Sequence, residues 1–249
     1  TLIHALLLPL AAAGALAAAV PAPSVAQPNI LHILTDDMGW TALGCYGNPD
    51  VPTPNLDRLA AQGMRFTHAY ADAQCSPTRA AFLSGQYGAR SGVFKVIHEQ
   101  EPPRAALRIP TPNLALQPEV ATLATTLRRA GYATGICGKW QLGKDPGLPR
   151  HFGFDESYLW QHTRRPPRYA NPGLEHNGRE IDFTNGEYGP KLINDFALDF
   201  VTRHRARPFL LYYPMILTHD PFQATPDSQA WDPKLKSEQQ QREIGRAHV

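Results

Sequence analysis

Cysteine is scarce: the chain of 249 residues has 3, at positions 45, 75 and 137. Three thiols cannot all pair, so no disulfide framework is implied. Charge imbalance is equally small, with 24 Lys and Arg against 22 Asp and Glu for a net +2. That excludes a broad basic face for nucleic acid, so no nucleic-acid partner is expected. Charged residues make up only 18% and hydrophobic residues 43%, the balance of a folded globular protein. A starting methionine is also missing. The chain opens on Thr1, and no basic segment precedes the Leu/Ala run from Leu2 to Val20. That run, followed by Ser24-Val25-Ala26 before Gln27, reads as a signal peptide over 1–26 whose true start lies upstream. A retained membrane anchor is the other reading, since the run approaches spanning length. Export to the periplasm or outside the cell, with no stable membrane association after cleavage, is the expectation.

Proline, in contrast, is abundant at 24 residues, which points to long ordered loops of the kind that build enzyme sites. The length allows one large domain or two small ones. Asn29 to Leu34 is a short apolar run that reads as a buried strand, and it ends in Thr35-Asp36-Asp37-Met38-Gly39. Two carboxylates after a buried strand stand where open α/β sheets place ligands, although Asp-Asp beside Gly is also ordinary turn chemistry. Thr53 to Gly63 reads as a capped helix packing through Leu56, Leu59 and Ala60, and 64–71 alternates like a strand.

The stretch Cys75-Ser76-Pro77-Thr78-Arg79-Ala80-Ala81-Phe82-Leu83-Ser84-Gly85 reads as a helix with Ser76 as N-cap, Pro77 at the first position and Gly85 as stop. Cys75 then lies at the positive end of the helix dipole, with Arg79 one turn in. Taken alone, Cys75 reads more readily as a buried core thiol. Glu119 to Ala130 reads as a helix with Val120, Leu123 and Leu127 on one face, and Tyr132 to Cys137 as a strand. Gly138-Lys139-Trp140-Gln141 follows. Gly153 to Tyr188 reads as a long excursion carrying Trp160, His162, Arg164, Arg165 and Arg168, either a grip for a sulfated sugar or aryl group or a solvated surface. Leu192 to Val201 marks an amphipathic helix. Phe209 to Tyr213 reads as a buried strand that leads to Leu217-Thr218-His219-Asp220-Pro221.

Cys75-x-Pro-x-Arg79, with small residues and Gly85 behind it, resembles the signature of the formylglycine-dependent sulfatases, in the alkaline-phosphatase superfamily. Gly131-Tyr132-x-Thr134 leading to Gly138-Lys139-Trp140 is similar to the family's second signature. The resemblance covers most of residues 28–230 and implies an α/β fold: a mainly parallel central sheet with helices on both faces, alkaline-phosphatase-like and truncated here. It implies that Cys75 is oxidised to formylglycine by a formylglycine-generating enzyme. It implies Asp36, Asp37 and the group at Cys75 as metal ligands, and their oxygen chemistry suits Ca²⁺ or Mg²⁺ over zinc. It further implies Arg79 and Lys139 as sulfate and hydrate contacts, and His219 as the group that binds sulfate or protonates the leaving oxygen. The substrate would be an aryl or carbohydrate sulfate ester.

At position 141 the chain departs from the commoner pattern, which has His two residues after the Lys. Gln141 can orient the hydrate through a hydrogen bond but cannot carry a proton near neutral pH. Two other readings stand beside sulfate ester hydrolysis: a phosphonate or phosphodiester hydrolase of the same superfamily, and an inactive sulfated-glycan-binding fragment. Further metal ligands and a second Lys that the family carries later are not in this sequence. Residues 27–236 therefore read as the N-terminal part of a catalytic domain. As a free polypeptide it is expected to be unstable and inactive, with edge strands and half a metal shell open. Residues 237–249 lose apolar periodicity and read as a non-native or disordered tail. His4, His32, His68, His98 and Cys45 match no ligand spacing, and Cys137 reads as a packed thiol.

Overall fold

Alternation of apolar side chains decides which strands this chain buries on both faces and which it leaves at an edge. The computed structural model describes residues 27–97 and 115–235. In chain order its elements are β1 (Ile30–Leu34), α1 (Pro54–Gln62), α2 (Cys75–Ser84), α3 (Gly88–Ser91), α4 (Leu123–Arg129), β2 (Ala133–Gly138), α5 (Leu148–His151), β3 (Glu156–Trp160), β4 (Gly173–His176), β5 (Arg179–Asp182), α6 (Gly189–His204) and β6 (Phe209–Pro214). Two short 3₁₀ turns, Trp40–Ala42 and Gly44–Tyr46, lie between β1 and α1. The signal-peptide region, His4, His98 and the tail from 236 onward fall outside the described residues.

The strands form one sheet in the order β1-β6-β2-β3-β4-β5. The first three pairings are parallel and the last two antiparallel, so the sheet is mainly parallel and open. β2 and β6 are buried along their whole length. On β6, Leu210 and Tyr212 face one core with Ala80 and Leu83 of α2 and Ala124 of α4. Phe209, Leu211 and Tyr213 face a second core with Ile193, Ala197 and Phe200 of α6. Two apolar faces on a strand require a covering layer on each side, which is why helices flank the sheet on both faces.

Several sequence expectations need correction. The run at Ile30–Leu34 is a strand but an edge strand, with Leu31 and Ile33 about half exposed (51% and 52%), because no described element covers that side. Residues 64–71 are irregular and exposed instead of a strand; they alternate but have no partner strand. The stripe on α1 is not buried packing either, for Leu56 and Leu59 are 45% and 65% exposed. The helix expected from Glu119 begins at Leu123. Thr122 forms a capping box with Thr125, and that reciprocal pair of bonds sets the start more firmly than apolar periodicity does. The excursion at 153–188 contains the meander β3-β4-β5. Its strands are short and partly polar, so they carry little period-2 signal. Cys137 is fully buried, as expected, and burial pushes its thiol far up.

Candidate active site

The loops that leave the C-terminal ends of β1, β2 and β6 meet at one place. Pairing between β1 and β6 continues past the strands: Met215 N–H donates to the Leu34 carbonyl at 2.8 Å, Asp36 N–H to Leu217 at 2.8 Å, and Thr218 N–H back to Asp36 at 2.7 Å. On the other side, Lys139 N–H donates to the Pro214 carbonyl at 2.7 Å. Gly138 makes that approach possible. Its φ is +119°, and a Cβ there would lie 2.0 Å from the Pro214 carbonyl oxygen, so only glycine fits. These contacts deliver Asp36 and Lys139 to each other from strands that are not neighbours.

Asp36 is buried, and Lys139 Nζ lies 2.5 Å from its Oδ2. Arg79 approaches Oδ1 at 3.5 Å and donates to the Lys139 carbonyl at 2.8 Å. The Cys75 thiol donates to Asp36 Oδ1 at 3.1 Å, and Lys139 Nζ lies 3.5 Å from Cys75 Sγ. The sequence-predicted group Asp36, Cys75, Arg79 and Lys139 is thus a single contact cluster. Burial works to raise the Asp36 carboxyl, but Lys139 and then Arg79 outweigh it and hold the group below the usual range. Burial pushes the Cys75 thiol up, against the pull of Lys139, so Cys75 stays a thiol rather than a thiolate. Burial also lowers the Lys139 ammonium, with Asp36 opposing.

Local structure corrects the expected cap. Cys75 is the first residue of α2 and Gln74 the residue before it, with no side-chain cap. Ser76 is buried and donates its hydroxyl to the Gln141 carbonyl at 3.0 Å. It therefore ties α2 to the loop after β2 instead of capping its own helix. Gln141 sits in the left-handed region at φ +55°, and its side-chain oxygen is buried without a hydrogen-bond partner.

His219 and Asp37 form a second, more open pair: His219 Nε2 lies 3.6 Å from Asp37 Oδ2, and Nδ1 lies 2.8 Å from Asp220 Oδ1. Asp37 stands at φ +59° with its side chain 59% exposed. One donor atom each from Asp36, Cys75 and His219 lies within 4.8 Å of the other two. With Asp37 beside His219, this is a donor set able to surround a small cation. Cys75, Lys139, Gln141 and His219 all line one cleft of about 740 Å³, in the size range of sites for drug-sized molecules. The cluster contributes one carboxylate against two full cations at the N-terminus of α2, an arrangement that attracts an anion.

One buried pair behind the cleft escaped the sequence reading. Glu175 on β4 is fully buried, and its Oε2 lies 3.3 Å from His162 Nδ1. Glu175 carries no motif, and only its inward register on β4 could have marked it. Two of the histidines expected to be structural make only local contacts: His32 stacks on Phe82 at 3.8 Å between ring centres, and His68 bonds its neighbour Thr67.

Comparison with known proteins gives the same direction throughout. The family model described as Sulfatase matches residues 28–246. N-acetylgalactosamine-6-sulfatase of Canis lupus familiaris is 39% identical over 241 residues, covering 88% of this chain and 44% of the relative. Arylsulfatase A of Bos taurus is 36% identical, covering 86% and 44%. The chain thus spans under half the length of these curated relatives. Among solved structures, BT4656 in complex with its substrate D-glucosamine-2-N,6-O-disulfate superposes with a TM-score of 0.63 at 28% identity, covering 80% of this chain and 36% of that one.

Proposed function

The chain belongs to the sulfatase family, and on that premise we propose that the protein is a sulfuric ester hydrolase whose nucleophile is made from Cys75. The observation that carries this reading is the cluster of half-buried Cys75 with buried Asp36, Lys139 and Arg79 at the tip of α2. A protonated thiol is a weak nucleophile, and sulfur attack would leave a thiosulfate adduct with no easy exit. A formylglycine-generating enzyme, with dioxygen as the oxidant, oxidises the Cys75 side-chain carbon to an aldehyde while the C–S bond breaks and the sulfur leaves as sulfide. Hydration of that aldehyde gives two hydroxyls on one carbon.

One hydroxyl oxygen attacks the sulfur of the ester, and the S–O bond to the alcohol breaks. The second hydroxyl then loses its proton, the C–O bond to sulfate breaks, and the aldehyde is restored for rehydration. Lys139, Arg79 and the α2 N-terminus hold the charge on the sulfuryl oxygens. His219, which lines the same cleft, donates a proton to the departing alcohol. Gln141 cannot move a proton, and its unpartnered side-chain oxygen is free to orient a hydroxyl.

Asp36 and Asp37 with the oxidised side chain at 75 would hold a Ca²⁺ or Mg²⁺ ion, whose preference for oxygen fits this set. Such a cation supplies positive charge that favours the alkoxide over the hydroxyl. The substrate is a sulfate monoester on a sugar or aryl group, and the protein works in the periplasm or outside the cell. Among the described residues no helix is long and apolar enough to cross a membrane.

The test uses the complete reading frame that carries this chain, expressed with a formylglycine-generating enzyme. Mass spectrometry of the Cys75 peptide should find the aldehyde, and aryl sulfate should be turned over while Cys75→Ala turns over none. Full activity in Cys75→Ala removes the covalent mechanism. Faster turnover of an aryl phosphodiester than of the sulfate transfers the protein to the diesterase branch. Binding of sulfated sugar without turnover by aldehyde-bearing protein leaves only the glycan-binder reading.

A further inference from the structure

We propose that Arg165 and Arg168 form a second anion subsite in the wall of the same cleft, so that the favoured substrate carries another negative group on its leaving sugar. This rests on the sulfatase reading and narrows its substrate class. Three arginines lie on the loop between β3 and β4, and the fold uses them differently. Arg164 is neutralised by Glu180 at 2.9 Å and Asp182 at 2.8 Å, which ties the loop to β5. Arg165 and Arg168 line the cleft, and neither is paired with a carboxylate among the described residues. Among the described residues the cleft lining contains no Asp or Glu. In a protein whose net charge is only +2, this is a local concentration and not a general excess of positive charge.

The subsite is held in place before any ligand arrives. The Arg168 guanidinium carbon lies 4.4 Å from the centre of the Trp160 ring, a cation–π contact that fixes the plane of the fork. Trp160 is itself anchored by its indole N–H, which donates to the Pro166 carbonyl at 2.9 Å. One Arg168 nitrogen, Nη1, is buried with no hydrogen-bond partner, so the fork is not satisfied by the protein. The Arg168 backbone is clamped against α6, where a Cβ on Gly189 would lie 2.1 Å from the Arg168 carbonyl oxygen. Among the described residues Arg165 makes only a long 3.5 Å contact to the Ile97 carbonyl. Beside these cations Pro166 and Pro167 give the cleft apolar surface, which suits the face of a sugar ring. The sulfate group belongs to Lys139 and Arg79. A second anion on a neighbouring position, a carboxylate or another sulfate, is what two unpaired arginines recognise.

The experiment compares three substrates with the complete protein: a neutral monosulfated disaccharide, the same disaccharide with a uronic acid, and the same with a second sulfate. Wild type should prefer one or both anionic forms, and the preferred form identifies the group. Arg168→Gln and Arg165→Ala should raise KM for the anionic forms by roughly 10- to 100-fold, with kcat held and the neutral substrate little changed. No preference in wild type, or equal losses on neutral and anionic substrates, overturns the subsite. Should no sulfate ester be turned over, aryl sulfate included, the parent reading fails separately. Calorimetric titration of the Cys75→Ala protein with the same disaccharides then decides the subsite: tighter binding of the anionic forms, lost in Arg168→Gln, sustains it, and equal binding refutes it.

Discussion

Replacing Glu175 by Gln should stabilise this protein at pH 8, which is the opposite of what breaking an ion pair does. His162 Nε2 lies 3.2 Å from the Asp145 carbonyl, which can only accept, so the neutral ring carries its proton on Nε2. Nδ1 then presents a lone pair to Glu175 at 3.3 Å. At that distance the pair can be read as a salt bridge. Against this, both Glu175 oxygens and His162 Nδ1 are buried without a well-formed hydrogen bond. Two buried charges need such bonds to offset lost hydration, so the neutral pair wins. Burial first, and Glu180 second, push the Glu175 carboxyl from 4.5 up to about 7, while burial lowers His162.

The sign follows from linkage. The folded state holds its proton on Glu175 more tightly than the unfolded chain does. The group's contribution to stability is therefore full below its unfolded value, 4.5, and declines as pH rises to about 7. The loss is on the order of 3 kcal/mol, at roughly 1.4 kcal/mol per pH unit. Glutamine stays neutral throughout and can donate to Nδ1. Urea unfolding at pH 5 and pH 8 should give Glu175→Gln a clear gain at pH 8 and little change at pH 5. Comparison with wild type at the same pH cancels the opposite titration of His162. A loss of about 3 kcal/mol at pH 8, the cost of breaking a buried pair, would refute the neutral dyad.

Two further substitutions separate ligand binding from folding. Asp37 is exposed and its carboxylate approaches only the His219 side chain among the described residues, so Asp37→Ala should change stability by less than about 0.5 kcal/mol. The same variant should lose Ca²⁺-dependent protection against heat, read as the difference in Tm with and without the ion; undiminished protection removes Asp37 from the cation shell. Gly138→Ala should behave in the reverse way. A methyl 2.0 Å from the Pro214 oxygen at φ +119° combines positive-φ strain with overpacking, on the order of 3 kcal/mol or more. Chemical denaturation should show that loss, and a midpoint equal to wild type would mean the β2–β6 approach is not as close as described.

The parts of the fold legible in the sequence were those with a strong local signal. Phe209–Pro214, buried on both faces, is an unbroken apolar run, and α6 repeats its apolar positions every three or four residues. The meander β3-β4-β5 was not legible, because Arg179–Asp182 pairs on one side only and is largely polar and exposed. Where side chains serve a distant partner the local reading misleads: Ser76 looks like a cap but binds Gln141, 65 residues away. The site motifs at Cys75 and Lys139 were legible as types of residue at fixed spacing. Their meeting at Asp36, and the burial of Glu175 behind them, depend on sheet order, which spacing along the chain does not encode.

Sheet register explains why the cluster tolerates so little. The β1–β6 pairing ends with Leu34 opposite Pro214, and the bonds from Asp36 to Leu217 and Thr218 extend it by two residues into the loops. A slip of one residue would turn Asp36 to the other side of the sheet and strand a buried Lys139 and Arg79 without their carboxylate. In register, one carboxylate between two cations leaves a single uncompensated positive charge beside Cys75 and the α2 N-terminus. The register of two strands therefore sets the stability of the buried ions.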